Sequence, residues 1–485
     1  MVDFNRGTGY MRPLPAATPR SGSVVVQYGP LVALLFLSFI SADTWLFLLG
    51  TLVFAFFYMY FFSVDVPPVI LFLFFFQWFF NQGQLVHALI NGRKPISSMF
   101  LPGATVATVF CLGMIGTAAF FLGTLVFYRK IPRINFEMIR QNAARLNVDR
   151  LLALYLTTYP LFGIMAGVIW AFPGLAQPLV MALNFKWAIF ALLFVAVFTH
   201  RRHKVTLFVI IAVEFILGFT SFWATFKDVV YVSFIMYWIF YFRERLILRW
   251  TLPVIIAVMI YIGSIWTIVK QDYRHFLNGG TGGQYSMVGR EEALDKFADL
   301  VVSASEVDLE GGFDGLILRM SWIGAFNRVY NHVPSRVPYQ DGSLWGAAVI
   351  RPFTPRLLLP GKTVLSDSQE LNYYSGLNVD EKNTSISLST IAGSYVDFGS
   401  WGMHVPLLLF GIFFGWIYKK VFDMSINTLL GYAMTIPLIF LVNINEQSIN
   451  RMVSSLVLYI LVAWFLCRFM QRPFLRFVTA HSGKK

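Results

Sequence analysis

Cysteine is almost absent from this chain: Cys111 and Cys467 are alone among 485 residues, and each lies inside an apolar run. That excludes a disulfide framework and a cysteine-based metal site. It also removes a cysteine nucleophile from the polar part of the chain. Histidine is sparse as well. His87, His332 and His404 are scattered, and no pair has metal-ligand spacing. Charge is low for a chain of this length, at 13% of residues against about a quarter in soluble domains. With 57% hydrophobic residues and a mean hydropathy of +0.64, the chain is expected to be an all-α polytopic membrane protein. The Gly-rich stretch from Asn278 to Gly283 is no P-loop, because no Gly-Lys-Ser/Thr follows it. The first 27 residues are polar and Pro-rich and do not read as a cleavable signal.

What is present is a set of apolar runs. A span needs about 20 apolar residues. Twelve are expected, near 28–42, 45–63, 67–89, 102–128, 151–172, 184–200, 205–222, 229–242, 252–269, 403–418, 427–443 and 453–470. The net charge of +13 is explained by the positive-inside rule and not by nucleic acid. With the N-terminus inside, cytoplasmic segments hold about 22 of the 38 Lys and Arg, among them Arg129, Lys130, Arg201, Arg202, Lys419 and Lys420. The expected layout is a cytoplasmic tail 1–27, spans one to nine over 28–269, an outer loop 270–402, spans ten to twelve over 403–470, and a basic cytoplasmic tail 471–485. Between Arg129 and Arg150, Ile131, Ile134, Ile139, Ala143 and Leu146 recur at roughly helical spacing. That pattern reads as an amphipathic helix anchored on the inner leaflet.

The outer loop of roughly 130 residues is a polar island in an apolar chain. Residues from Arg290 to Val307 read as a short helix. Leu316, Met320, Ile323, Phe326 and Tyr330 form a stripe at helical spacing over Phe313 to His332. Arg319 falls in that stripe and Arg328 on the opposite face. An Arg on an apolar face needs a partner, either an acidic neighbour or a bound anion. A turn at Tyr339–Ser343 leads into a small apolar helix. Arg351, Arg356 and Lys362 follow within twelve residues, spaced by prolines. They suit phosphate recognition or headgroup snorkelling. The stretch 383–402 is crowded with hydroxyls, glycines and aromatics. Its Tyr395, Phe398 and Trp401 are suited to an interfacial belt or to stacking on sugar rings. Lys227 and Asp228 sit in a short outer loop, Glu214 inside a span, and Glu446, Gln447, Asn450 and Arg451 between the last two spans. Ionisable groups at such depths are functional candidates.

Two phrases carry a family resemblance. One is Pro355-Arg356-Leu-Leu-Leu-Pro360-Gly-Lys362. The other runs from Ser387 through Gly393, Tyr395, Asp397, Phe398 and Gly399 to Gly402. With many spans and a large outer loop late in the chain, they resemble the Wzy-type O-antigen polymerases, which join oligosaccharide repeat units of bacterial surface polysaccharides. The stretch Gly218 to Lys227 lacks that family's usual Arg-Gly, although Lys227 stands where a basic residue is common.

The resemblance implies a GT-C-like membrane fold in the bacterial inner membrane, with both termini cytoplasmic and the loop periplasmic. It implies a metal-independent, cofactor-free glycosyl transfer between undecaprenyl-diphosphate-linked donor and acceptor. A chain-length regulator, export proteins and membrane lipids are implied partners. Arg319, Arg356 and Lys362 would hold the diphosphate and stabilise its developing charge, and Arg351, Arg328, Lys227 and Arg451 would help bind substrate. Asp397 or His332 would take the acceptor hydroxyl proton, and Asn372 and Tyr395 would orient sugars. Two alternatives stay open. An O-antigen ligase shares the donor but uses a lipid A core acceptor, and a twelve-span flippase would only move the lipid. Against the flippase stand the absent internal repeat and the missing midpoint linker.

Overall fold

The computed structural model describes residues 23–62, 67–132, 136–172, 175–220, 225–241, 248–281, 286–304, 309–354, 366–378 and 386–479. Among these the chain is helical and contains no strand. The N-terminal half holds α1 (Ser23–Ile40), α2 (Thr44–Phe61), α3 (Val69–Ile90), α4 (Val106–Tyr128), α5 (Phe136–Ala144), α6 (Val148–Ala171), α7 (Ala176–Asn184), α8 (Lys186–His200), α9 (Lys204–Phe219), α10 (Phe226–Tyr241) and α11 (Leu248–Leu277). The polar island supplies α12 (Arg290–Ala304), α13 (Leu309–Arg319), α14 (Ile323–His332), α15 (Ser343–Ile350), α16 (Asp367–Ser375) and α17 (Thr390–Gly402). The chain closes with α18 (His404–Asp423), α19 (Thr428–Thr435), α20 (Ile449–Phe465) and α21 (Gln471–Thr479).

Among the described residues six helices are long and apolar enough to cross a membrane: Thr44–Phe61, Val69–Ile90, Val106–Tyr128, Gln177–His200, His404–Asp423 and Ile449–Thr479. Tyr28–Ile40 and Thr428–Phe440 are apolar but shorter. Twelve full-length spans were expected, and part of the difference has a plain cause. Helices α9 and α10 have 16 residues each, about 24 Å at 1.5 Å per residue, short of a hydrocarbon core of about 30 Å. The expected eleventh span turns into a 3-10 segment at Ile436, where Pro437 cannot continue the α-helical ladder.

The centre of the molecule is the pairing of α4 with α18. Contacts advance together along both, so the two run parallel. Their glycines bring backbone onto backbone. A Cβ on Gly411 would stand 1.9 Å from the Phe120 carbonyl oxygen, and one on Gly123 2.2 Å from that of Leu408. A Cβ on Gly415 would stand 2.7 Å from the Thr124 carbonyl oxygen. Small residues at four-residue spacing are the means by which apolar helices approach closely without a hydrophobic driving force between them.

The island is not a separate layer. Ile323, Phe326, Val329, Val333, Leu388, Ile391 and Val396 are buried in the same core as α3, α4 and α18. The stripe from Phe313 to His332, expected as one helix, breaks at Met320–Trp322, where the Trp322 N–H donates to the Phe80 carbonyl at 3.4 Å. Arg319 therefore ends α13, exposed, and does not share a face with Ile323. The amphipathic helix expected on the inner leaflet is α5. Its Ile139 and Ala143, with Leu146 just beyond, are buried against protein, and Asn142 donates to the Thr428 hydroxyl at 3.2 Å. That apolar face covers the bundle and does not lie in lipid.

Candidate functional site

The connector between α19 and α20 is buried, non-helical backbone at the level of the helix ends. Such backbone persists in a membrane protein only where protein or a cavity surrounds it, and here side chains from α3 and α4 do so. Asn445 Nδ2 donates to the Gln77 carbonyl and side-chain oxygens, both at 3.1 Å, and Asn81 Nδ2 donates to Asn445 Oδ1 at 3.3 Å and to the Thr117 hydroxyl at 3.2 Å. From the other side, Thr390 Oγ1 donates to the Gln447 carbonyl at 2.8 Å and Ser387 Oγ to that of Glu446. The connector thus presents Glu446, held by Asn443 Nδ2 on Oε2 at 2.7 Å.

Three cations, Lys227, Lys270 and Arg319, gather around Glu446, and a fourth, Arg274, stands beside Lys270 and Arg319. Lys227 opens α10, Lys270 and Arg274 stand one turn apart beyond the apolar stretch of α11, and Arg319 ends α13. Burial pushes the Glu446 carboxyl up, and Lys227, Arg319, Asn443 and Lys270 oppose it. Burial pulls the Lys270 ammonium down to about 7, helped by Arg319 and Arg274 and resisted by Glu446. Arg274 is drawn to about 10 by burial and by Arg319. The cations of the cluster outnumber the Glu446 and Asp228 carboxylates that face them, and Lys227 and Arg319 are exposed.

Packing fixes these residues in place. Phe219 stacks on Phe226 at 4.2 Å and on Phe297 at 4.3 Å, and the Tyr273 hydroxyl donates to the Phe219 carbonyl at 2.8 Å. This aromatic cluster locks the start of α10 beside α11, which sets Lys227 near Lys270. Helix α13 presses onto α11 through Gly312 and Gly315. A Cβ on Gly312 would stand 2.8 Å from Ile268 Cδ1, so the small residues let Arg319 approach. Beside the cluster, Asp228 is raised to about 6 by burial, against Lys227 and Lys186.

The sequence-derived candidates separate into two groups. Lys227 and Arg319 meet at the cationic cluster. Asp397, Arg351 and the neighbourhood of Asn372 and His332 lie elsewhere, around α14–α17. Asp397 is buried, and its two oxygens accept the Leu344 and Trp345 N–H groups at 3.2 and 2.9 Å, so it caps the start of α15. Tyr395 is buried too. It donates to the Val333 carbonyl at 2.8 Å and stacks on Tyr330 at 5.2 Å. The ring of His332 rests against Gly376. Arg328 and Arg451 are exposed on α14 and α20. Arg356 and Lys362 lie outside the described residues. The Tyr-Val-Asp-Phe-Gly phrase builds architecture: Gly399 adopts φ 66° and ψ −172°, a region essentially reserved for glycine, and kinks α17 before α18.

Lys270, Arg274 and the ion pair of His87 with Asp314 escaped the sequence reading. His87 Nε2 lies 2.8 Å from Asp314 Oδ1 and joins α3 to α13. Lys270 and Arg274 sit four apart at the end of an apolar run, a legible signal that read as the ordinary edge of a span. A further buried pair, Lys186 Nζ to Glu214 Oε2 at 3.1 Å, with the Tyr155 hydroxyl on Oε1, satisfies the carboxylate noted inside a span.

The chain belongs to the family described as "Domain of unknown function (DUF8712)", whose model matches residues 95–474. No curated protein and no solved structure matches it.

Proposed function

We propose that this protein is a membrane glycosyltransferase that joins polyprenyl-diphosphate-linked oligosaccharide units on the outer face of a bacterial inner membrane, a repeat-unit polymerase of the kind its motifs resemble. The observation that carries this reading is the gathering of Lys227, Lys270 and Arg319 around the Glu446 carboxylate, with Arg274 beside Lys270 and Arg319. A lipid diphosphate is the leaving group that such an excess of positive charge suits. In the ground state its charge is spread over two phosphates. As the glycosidic C–O bond breaks, the electron pair collects on the departing oxygen, and fixed cations there lower the barrier. Glu446 keeps Lys227, Lys270 and Arg319 together when no anion is bound.

Further support comes from the parallel run of α4 and α18, as expected for two spans entered from the same side. In this reading the polar backbone of the connector lies near the membrane surface, where a substrate with a lipid end and a sugar end meets both phases. In this reading both termini are cytoplasmic and twelve segments cross or dip into the bilayer. A chain-length regulator and export proteins are its partners.

The test is the lipid-linked glycan profile of a strain lacking the protein, complemented with wild type or with Arg319→Ala. Single units accumulating on the carrier with no long polymer, in the deletion and in the variant at normal protein level, is the expected result. Long polymer stranded on the carrier would make the protein a ligase. Single units trapped on the inner face would make it a flippase and end the transferase reading.

A further inference from the structure

One end of the molecule carries a charged helix that the transferase reading leaves unused. Helix α20, a π turn over Leu466–Met470 and α21 run on as one stretch, Ile449–Thr479. Its 31 residues make about 46 Å at 1.5 Å per residue, roughly 16 Å more than a hydrocarbon core of about 30 Å. Residues 452–467 hold no Lys, Arg, Asp or Glu, so the crossing lies there. Arg468, Arg472 and Arg476 follow, and arginine is costly in hydrocarbon. The surplus length is therefore the C-terminal part, α21.

Tertiary contacts fix where α21 goes. Helices α4 and α18 run parallel and finish at one end of the bundle. There Gln471 Oε1 accepts the Ile426 N–H at 2.9 Å, and its Nε2 donates to the Met424 carbonyl at 3.3 Å, just past α18. About two turns on, the Val478 carbonyl accepts the Asn147 N–H at 2.7 Å, and the Phe477 carbonyl accepts from Arg150 Nη1 at 2.7 Å. Helix α21 thus lies across this end, from the α18–α19 turn to the start of α6, with Gln471 and Val478 buried beneath it.

Its outer faces meet no protein. Arg468, Arg472 and Arg476 form an exposed ridge at four-residue spacing, and no ion pair among the described residues includes them. Two acids of this end, Asp149 and Asp423, pair with His203 and Lys419. Beside the arginines, Phe469, Pro473 and Phe477 are exposed at the same spacing and continue the exposed Leu461 and Phe465 of α20. Arg150 rests over the Phe477 ring at 5.6 Å. A row of guanidinium groups beside a row of apolar side chains is the pattern of a helix lying in a membrane interface.

We propose that α21 is an interfacial helix that seats this end of the protein on anionic phospholipid, with Phe469 and Phe477 in the acyl boundary and Arg468, Arg472 and Arg476 on lipid phosphates. It goes beyond the transferase reading and does not depend on it. Guanidinium groups match phosphate oxygens in charge and in geometry. Continuity favours lipid over an acidic protein partner. The apolar row runs unbroken from the uncharged span into α21, so a covering protein would have to reach into the bilayer, whereas lipid is already there. Seated so, α21 braces the α18–α19 turn and the start of α6 against the membrane surface.

The test is hydrogen–deuterium exchange of the full chain in nanodiscs of phosphatidylcholine alone and of equal parts phosphatidylcholine and phosphatidylglycerol. Each arginine near an anionic surface is worth about fivefold, so three give on the order of 100-fold. Amides of residues 471–479 in wild type are expected to exchange that much more slowly on the anionic discs, and the difference should shrink as salt is raised. The combined variant Arg468→Gln, Arg472→Gln, Arg476→Gln is expected to exchange equally on both. The combined variant Phe469→Ser, Phe477→Ser is expected to exchange faster than wild type on both. All five side chains are exposed, so α4 and α18 should stay as protected as in wild type, which reports that each variant is folded. Equal exchange of wild type on the two discs overturns the proposal without any variant. Slowing by anionic lipid that survives in the arginine variant overturns it too. Wild-type exchange in the phenylalanine variant removes the acyl contact and overturns the interfacial seat.

Discussion

Substituting alanine for Gly411 tests the packing on which the whole site rests. The new Cβ would stand 1.9 Å from the Phe120 carbonyl oxygen, 2.7 Å from its carbon and 3.0 Å from its Cα. All three are backbone atoms of a buried helix, so no rotamer change relieves the clash. Ordinary contact begins near 3.4 Å, and α4 and α18 would have to separate by up to about 1.5 Å at the crossing, with loss of the neighbouring contacts at Gly123 and Gly415. Overpacking in a rigid core costs roughly 1–3 kcal/mol and occasionally more. Backbone-on-backbone contact puts Gly411→Ala at the upper end, about 3 kcal/mol. Gly346 in α15 is the control. A Cβ there meets nothing within 4 Å, so Gly346→Ala is expected to be neutral or to stabilise by up to about 1 kcal/mol through helix propensity. The assay is thermal unfolding of purified protein in a mild detergent, with both variants beside wild type. Equal midpoints for Gly411→Ala and wild type would refute the close approach of α4 and α18.

Other expectations follow from the same contacts. Lys270 sits near pH 7, so anion binding should hold it protonated and take up a proton above that pH; affinity for inorganic diphosphate is expected to weaken between pH 7 and 9, more steeply in wild type than in Lys270→Met, by isothermal titration. Tyr395→Phe leaves the Val333 carbonyl without its donor and is expected to cost about 1–3 kcal/mol in unfolding experiments with turnover intact; unchanged stability with lost turnover would instead place the hydroxyl on substrate. Asp397→Asn turns one acceptor into a donor facing the first N–H groups of α15. It should destabilise by about 1–3 kcal/mol in the same assay.

Much was legible in the chain. Scarce charge, long apolar runs and the distribution of Lys and Arg dictate a helical membrane protein, because each backbone polar group in lipid must be satisfied within its own segment. The turn before α15 and the helix at Arg290 follow from local residues: Asp341 and Gly342 take positive φ, and Glu291 and Glu292 occupy the first turn of α12. Lys227 and Arg319 were legible as candidates because cations near a membrane surface are conspicuous against an apolar background. What they do was decided elsewhere. The residues of the cationic cluster span positions 227 to 446, and only the stacking of Phe219 on Phe226 and Phe297, with the glycine facet of α13 on α11, brings them together. Asp397 and Tyr395 show the converse. Their motif is conspicuous in the sequence, yet the folded chain spends both on its own backbone, capping α15 and tying down Val333. Sequence reports which residues are costly to bury. Tertiary contact alone decides whether that cost is met within the protein, as at Asp397 and Tyr395.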